Sequence, residues 1–255
     1  MMRAGSPTAV VSGGASGIGR AVVEELSAAG FGIVAIDLNA EALREVEARG
    51  SVVTVTGDVV DEATWQAAIA ASETHFGRPP TQLASCAAVV LTGTVLELSD
   101  ESWARTFDVN LMGAVRGVRL LLPAMVEARK GAIVTVGSTD AFMAEQRQAA
   151  YCASKGALLQ FTRAVAVDFA RAGVRANCVC PGVTDTPLLR RAIGETKDPA
   201  AVLEARLERQ PIGRLLDPVD IARAISFLLS DAAEGITGAL IPVDGALSTS
   251  FEFRA

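Results

Sequence analysis

The chain has one tyrosine, Tyr151, and a lysine stands four places after it in Tyr151-Cys152-Ala153-Ser154-Lys155. Only three lysines occur in 255 residues, so chance is a poor account of this neighbour. On a helix, residues i and i+4 share a face, which brings the ammonium near the phenol. A free phenol titrates near 10 and is a poor base at neutral pH. A nearby cation favours phenolate and is expected to lower that value. The pair therefore suits proton transfer at a secondary alcohol or ketone. Ser138 precedes Tyr151 by 13 residues and follows the apolar run Ala132-Ile133-Val134-Thr135-Val136. Its hydroxyl can bond a substrate oxygen there; alone it reads as a turn serine.

A second group of residues suits phosphate. Ser12-Gly13-Gly14-Ala15-Ser16-Gly17-Ile18-Gly19 follows Ala9-Val10-Val11 and opens a helical pattern. Gly13, Gly17 and Gly19 let a backbone approach a pyrophosphate, and the helix start offers free N–H groups to the anion. A plain strand-to-helix turn is the simpler reading of the same glycines. Asp37 ends the next apolar run, 18 residues after Gly19, where an acid can hold both ribose hydroxyls. Its simpler reading is a cap on the following helix. A dinucleotide held this way is expected to be NAD. A 2′-phosphate beside Asp37 costs on the order of 4 kcal/mol at ~4 Å and an effective dielectric of about 20. Ser16 and Leu38 supply no cation to hold that phosphate, and Arg20 reads as a solvated surface charge.

The elements that must position these residues alternate along the chain. Strands are expected at Ala9-Val10-Val11, Ile33 to Ile36, Val52 to Val55, Leu83 to Ala88, Ala132 to Val136, Val174 to Cys180 and Gly238 to Val243. Helical patterns run from Gly17 to Ala29, Ala40 to Arg49, Asp61 to Phe76, Asp100 to Arg129, Ala149 to Ala172 and Asp217 to Ser230. Asp61 is placed to cap its helix. This alternation predicts an α/β fold: a doubly wound parallel sheet of seven strands with helices on both faces. No linker interrupts it, so residues 1–255 read as a single catalytic domain. Residues 183–212 fit least well, with Pro187, Pro199 and Pro211 around the charged stretch Ala200 to Arg209. An excursion after a strand's carboxyl end is where a lid over a site tends to lie.

Composition excludes several classes. Half the residues are apolar and a fifth charged, so disorder is not expected. Lys plus Arg is 23 against 29 Asp plus Glu, and a net charge of −6 argues against nucleic acid. With His75 alone, a histidine-rich metal site and a Ser-His-Asp hydrolase are both poor readings, and no metal is expected. The cysteines at 86, 152, 178 and 180 form no C-x-x-C pair and read as buried thiols of a reducing compartment. The opening residues lack a signal-peptide pattern. The apolar stretches are broken by Arg or Pro before 18 residues, so no membrane span and a cytoplasmic location are expected.

Taken together, these motifs resemble the short-chain dehydrogenase/reductase family, in its shorter single-domain branch with a Rossmann-like fold. The resemblance covers about residues 7–247. It rests on the glycine turn, Asp37, Asp58, Asn110 in Val109-Asn110-Leu111, Ser138, Tyr151, Lys155, Pro181-Gly182, Gly238 and Val243-Asp244-Gly245. It implies that Asp58 and Val59 contact adenine, that Asn110 anchors a water linking Lys155 to solvent, and that Lys155 bonds the nicotinamide ribose. It also implies that Val183 and Thr186 hold the carboxamide, and that two long helices, about 100–129 and 149–172, meet in a homotetramer. Asn110 as a helix polar residue and Thr186 as a lid-helix cap are the plain alternatives. One departure stands out. The family usually has Asn-Ala-Gly after the fourth strand, and this chain has Cys86-Ala87-Ala88. The backbone contact there is expected to survive. Asp140, Phe142, Met143, Leu188 and Leu189 suggest a mixed, mainly apolar pocket for a small-molecule substrate, a mainly apolar secondary alcohol or ketone of alicyclic, aromatic or steroid-like type.

Overall fold

A computed structural model describes residues 6–47 and 51–250. Seven strands lie parallel: β1 (Thr8–Ser12), β2 (Gly32–Asp37), β3 (Val52–Thr56), β4 (Gln82–Ser85), β5 (Gly131–Val136), β6 (Val174–Pro181) and β7 (Leu240–Val243). Their order is β3-β2-β1-β4-β5-β6-β7. The chain winds outward from β1 to β3, returns to the other side of β1, and continues outward to β7. A crevice therefore opens where β1 and β4 part, at their carboxyl ends. This is the doubly wound α/β architecture expected from the alternation.

Two apolar layers hold the sheet, and the pleat assigns residues to them. Ala9 and Val11 face one side, with Val22 and Leu26 of α1 (Gly17–Ala28) and Ile221, Ile225 and Leu228 of α9 (Pro218–Leu229). Val10 faces the other side, with Trp65 of α3 (Glu62–Phe76) and Val118, Leu121 and Met125 of α5 (Gly113–Glu127). The strands are apolar on both faces because both faces are covered. Each fully buried Leu or Ile contributes roughly 1.5–3 kcal/mol.

Several boundaries differ from the expectation. The fourth strand ends at Ser85, because the Ala87 N–H is taken by the Ser12 hydroxyl at 3.3 Å rather than by a ladder partner. The long helix divides into α4 (Asp100–Phe107), a π-helical segment Asp108–Met112, and α5. By length and composition the run Asp100–Glu127 is apolar enough to cross a membrane, unlike the expectation from apolar stretches. Here Val109, Val118, Leu121 and Met125 are buried in the core. Helix α2 spans Ala40–Glu47, and the remaining expected residues to Arg49 lie outside the described residues. Asp61 stands at the cap of α3, but its side chain makes no capping bond. The segment 183–212 folds into α7 (Pro187–Gly194) and α8 (Pro199–Glu208). Helix α6 (Ala149–Phe169) carries the Tyr-Lys pair.

Candidate active site

The glycine turn joins β1 to α1 at the crevice. Gly13 sits at φ +68°, a conformation that disfavours any side chain, and a Cβ there would lie 3.0 Å from the Ala87 backbone. Gly19 packs closer still: a Cβ would come 2.1 Å from the Gly13 carbonyl oxygen. The turn is bare backbone beside the N-terminus of α1, which can cradle a pyrophosphate. Gly19→Ala is expected to cost about 1–3 kcal/mol through this clash. Differential scanning calorimetry checks it; an unchanged melting temperature would show that the turn opens freely.

Asp37 does not cap the following helix. Asn39 does so, its Oδ1 accepting from the N–H groups of Glu41 and Ala42, both at 3.1 Å. The Asp37 carboxylate instead accepts from Ala15 N–H at 3.1 Å and Asn39 N–H at 3.0 Å. It thereby ties β2 to the glycine turn and keeps further acceptor capacity on each oxygen. Beside it, Ser16 and Leu38 are exposed. Arg20 is engaged by Glu24 at 3.3 Å and Glu45 at 3.0 Å. Asp58 accepts from Val60 N–H at 3.1 Å and pairs with Arg105 at 3.0 Å, while Val59 is buried. Ser12, which sequence reasoning passed over, accepts from the N–H groups of Cys86 and Ala87 at 3.2 and 3.3 Å and pins residues 86 and 87 against Gly13. Ala88 follows, half-buried.

The second cluster lies at the carboxyl end of β5. The Ser138 hydroxyl accepts from Asp140 N–H at 3.1 Å and acts as a hydrogen-bonding neighbour of the Tyr151 phenol. The Lys155 ammonium stands 5.5 Å from the Tyr151 ring centroid and donates to the Val136 carbonyl at 2.7 Å. Lys155 is almost wholly buried, and burial lowers its titration to about 8. The phenol moves the other way from the expectation. Burial, helped by the Asp140 charge, raises Tyr151 above the ordinary phenol range.

Asn110 sits in the π-helical segment, where such distortions often mark functional positions. Its Oδ1 accepts from Val89 N–H at 2.8 Å, and its Nδ2 donates to the Val89 carbonyl at 3.0 Å and to Ser154 Oγ at 3.1 Å. This bonding joins the segment after β4 to α6, one residue before Lys155. Pro181 and Gly182 close β6, and Thr186 caps α7, its hydroxyl accepting from Leu189 N–H at 3.2 Å. Val183 is half-buried and its carbonyl accepts from the buried Gln210 side chain at 3.1 Å. Of the thiols, Cys178 and Cys180 are buried and 3.8 Å apart, but Cys86 and Cys152 are only partly buried, contrary to the expectation. Burial pushes Cys86 up to about 12, so it stays a neutral thiol.

A cleft beside Ser138 is lined by Thr139, Asp140, Met143, Glu145, Arg206 and Arg209, with Ala144, Val183 and Leu247. Arg206 of α8 forms a two-pronged ion pair with Glu145, which anchors the segment 183–212 across the cleft. Phe142, Leu188 and Leu189 do not line it.

Comparison with known proteins decides the family. Residues 13–248 match the family model described as enoyl-(acyl carrier protein) reductase. A crystal structure of an oxidoreductase of the short-chain dehydrogenase/reductase family from Burkholderia thailandensis superposes with a TM-score of 0.87 at 33% identity, covering 97% of this chain and 94% of that one. The chain belongs to the short-chain dehydrogenase/reductase family. Among its curated relatives, the 2,5-dichloro-2,5-cyclohexadiene-1,4-diol dehydrogenase of Sphingobium indicum is 34% identical, over 96% of this chain and 98% of the relative. The 2-(S)-hydroxypropyl-CoM dehydrogenase 3 of Xanthobacter autotrophicus is 38% identical, over 93% and 95%. As a short-chain dehydrogenase/reductase, the chain is an oxidoreductase of a family that typically binds NAD or NADP.

Proposed function

We propose that this chain is an NAD-dependent dehydrogenase of small secondary alcohols, able to run as a ketone reductase. One observation carries the reading: Ser138, Tyr151 and a buried Lys155 converge at the carboxyl end of β5, on the crevice side of the sheet that also holds the glycine turn and Asp37.

Bound NAD takes up or gives the hydride at its nicotinamide ring. Gly13, Ser16, Gly17, Ile18 and Gly19 hold the pyrophosphate, and Asp37 and Leu38 the adenosine ribose. Asp58 and Val59 border the adenine. Cys86, Ala87 and Ala88 lie along the inner ribose, with the backbone pinned by Ser12. Pro181, Gly182, Val183 and Thr186 hold the carboxamide end. Ser138 steadies the substrate oxygen, and Tyr151 takes its proton during oxidation or returns it during reduction. Lys155 bonds the inner ribose and keeps positive charge beside the phenol. Asn110 anchors the water through which that proton leaves. The expected assembly is a homotetramer in the cytoplasm, with the helical run 100–129 and α6 at one interface, residues 1–255 acting as one domain and 183–212 as its lid. The relatives' names support the substrate class, since both act as dehydrogenases of hydroxyl compounds.

Asp37 decides the cofactor. Its carboxylate repels a 2′-phosphate, and Arg20 is already held by two glutamates. In Asp37→Ser with Leu38→Arg, the repulsion is gone and the arginine makes charge-assisted bonds to phosphate. Serine keeps one acceptor for the Ala15 N–H. The NADP-to-NAD ratio of kcat/KM is expected to rise by roughly one to two decades, below the three that ~4 kcal/mol permits, because solvent screens the pair. The ratio is measured at fixed salt with any alcohol turned over. A parent that already prefers NADP contradicts the reading of Asp37 and points to Arg20 as the phosphate holder.

A further inference from the structure

Asp140 is a half-buried carboxylic acid placed two residues after Ser138, and the reaction proposed above has no use for it. Its backbone N–H donates to Ser138 Oγ at 3.1 Å, which sets Asp140 beside the hydroxyl that holds the reacting oxygen. Asp140 lines the cleft. Among the described residues no lysine or arginine forms an ion pair with it, because the guanidinium on that side, Arg206, is taken by Glu145. The Ser138 hydroxyl is the hydrogen-bonding side chain that acts on it. A carboxylate with two oxygens has about four acceptor positions. In the cleft those positions are open to a donor that a ligand supplies.

We propose that Asp140 accepts a hydrogen bond from a second hydroxyl of the substrate, on a carbon next to or near the reacting carbinol, so that the preferred substrates are diols and related polyhydroxy alcohols. The inference rests on the reading of Ser138 and Tyr151 given above. The charges around the cleft favour a neutral donor over a charged group. An ammonium would meet Arg206 and Arg209, and the Lys155 charge that reaches Asp140. A carboxylate would meet Asp140 and Glu145. A hydroxyl meets neither penalty and supplies the missing donor. A site that hydrogen-bonds a substrate hydroxyl also rejects the analogue lacking it, since the polar group is then left unpaired. Met143, Val183 and Leu247 supply apolar contact for the carbon skeleton.

The test compares matched pairs with NAD at pH 8: cis-1,2-cyclohexanediol against cyclohexanol, and 2,3-butanediol against 2-butanol. The parent is expected to favour each diol by about 10- to 100-fold in kcat/KM, the scale of a hydrogen bond to a charged acceptor. Asp140→Leu should bring the diol-to-monoalcohol ratio close to one. Asp140→Asn, which keeps an acceptor oxygen, should retain part of it. NAD affinity measured by fluorescence in each variant reports that the fold is intact. A parent that oxidises both members of each pair equally, or an Asp140→Leu variant that keeps the parent's ratio, overturns the role of Asp140 and leaves the dehydrogenase reading standing. A parent that binds NAD and oxidises none of the four alcohols, nor reduces their ketones with NADH, overturns the reading of the site and this inference with it.

Discussion

Tyr151→Phe will bind NAD as the parent does and turn over about 10²- to 10⁴-fold more slowly. Only the phenolic oxygen is removed, and the ring stays against Lys155. The magnitude is that of general acid–base catalysis by one positioned side chain. In the chain alone the phenol is held above its usual range by burial and by Asp140. The ionised form is reached when positive charge collects beside it, from Lys155 and from an oxidised nicotinamide. NAD affinity by fluorescence and kcat with a turned-over alcohol separate binding from chemistry. Near-parent turnover would remove Tyr151 from the mechanism.

Lys155→Met will be inactive to a similar degree and more stable. Activity falls because the ammonium is the protein's own positive charge beside the phenol, and the ribose loses a donor. Stability rises because the lysine is buried with one bond, to the Val136 carbonyl. Its fall from the ordinary lysine value to about 8 means that folding disfavours the charged form, by roughly 3 kcal/mol at neutral pH. The sign follows from proton counting: between about pH 8 and the ordinary lysine value the unfolded chain binds more protons, so stability rises with pH there. Loss of the bond to Val136 returns about 1–1.5 kcal/mol. A net gain of about 1–2 kcal/mol should raise the melting temperature by a few degrees for a chain of this size. Thermal unfolding of parent and variant at pH 7 checks it. A lower melting temperature would mean that Lys155 is a structural cation rather than a strained functional one.

Periodicity and turn chemistry made most of the fold legible. Val10 and Val11 read as one apolar run because a parallel strand buries both faces, and the glycine cluster marked its end. The π-helical segment at Asp108–Met112 was invisible to helical spacing, since one altered turn barely disturbs the apolar stripe around it. In the site, the Tyr-Lys spacing gave the approach of Lys155 to the Tyr151 ring directly. Asp37 gave its position but not its partners. Asn39 caps the helix, and that frees Asp37 to reach across to Ala15, a choice between neighbours that spacing cannot make. Ser12 was passed over as the last residue of a strand. The signal was present, a hydroxyl beside a glycine turn, but its partners at 86 and 87 come from a distant segment. The charged side of the cleft was also hidden. Arg206 lies on α8 and Arg209 caps its end, and the face that α8 turns to the cleft depends on docking rather than on local pattern.

In the proposed reaction, hydride passes between a secondary carbinol carbon and NAD under the control of Tyr151. The direct measurement uses an alcohol deuterated at the carbinol carbon, incubated with the protein and NAD, with the reduced cofactor recovered and weighed by mass spectrometry. The expected result is one deuterium per NADH formed by the parent, a matching amount of ketone, and at least about 100-fold less labelled cofactor from Tyr151→Phe over the same time. Unlabelled NADH, or equal label transfer by the parent and Tyr151→Phe, would contradict it.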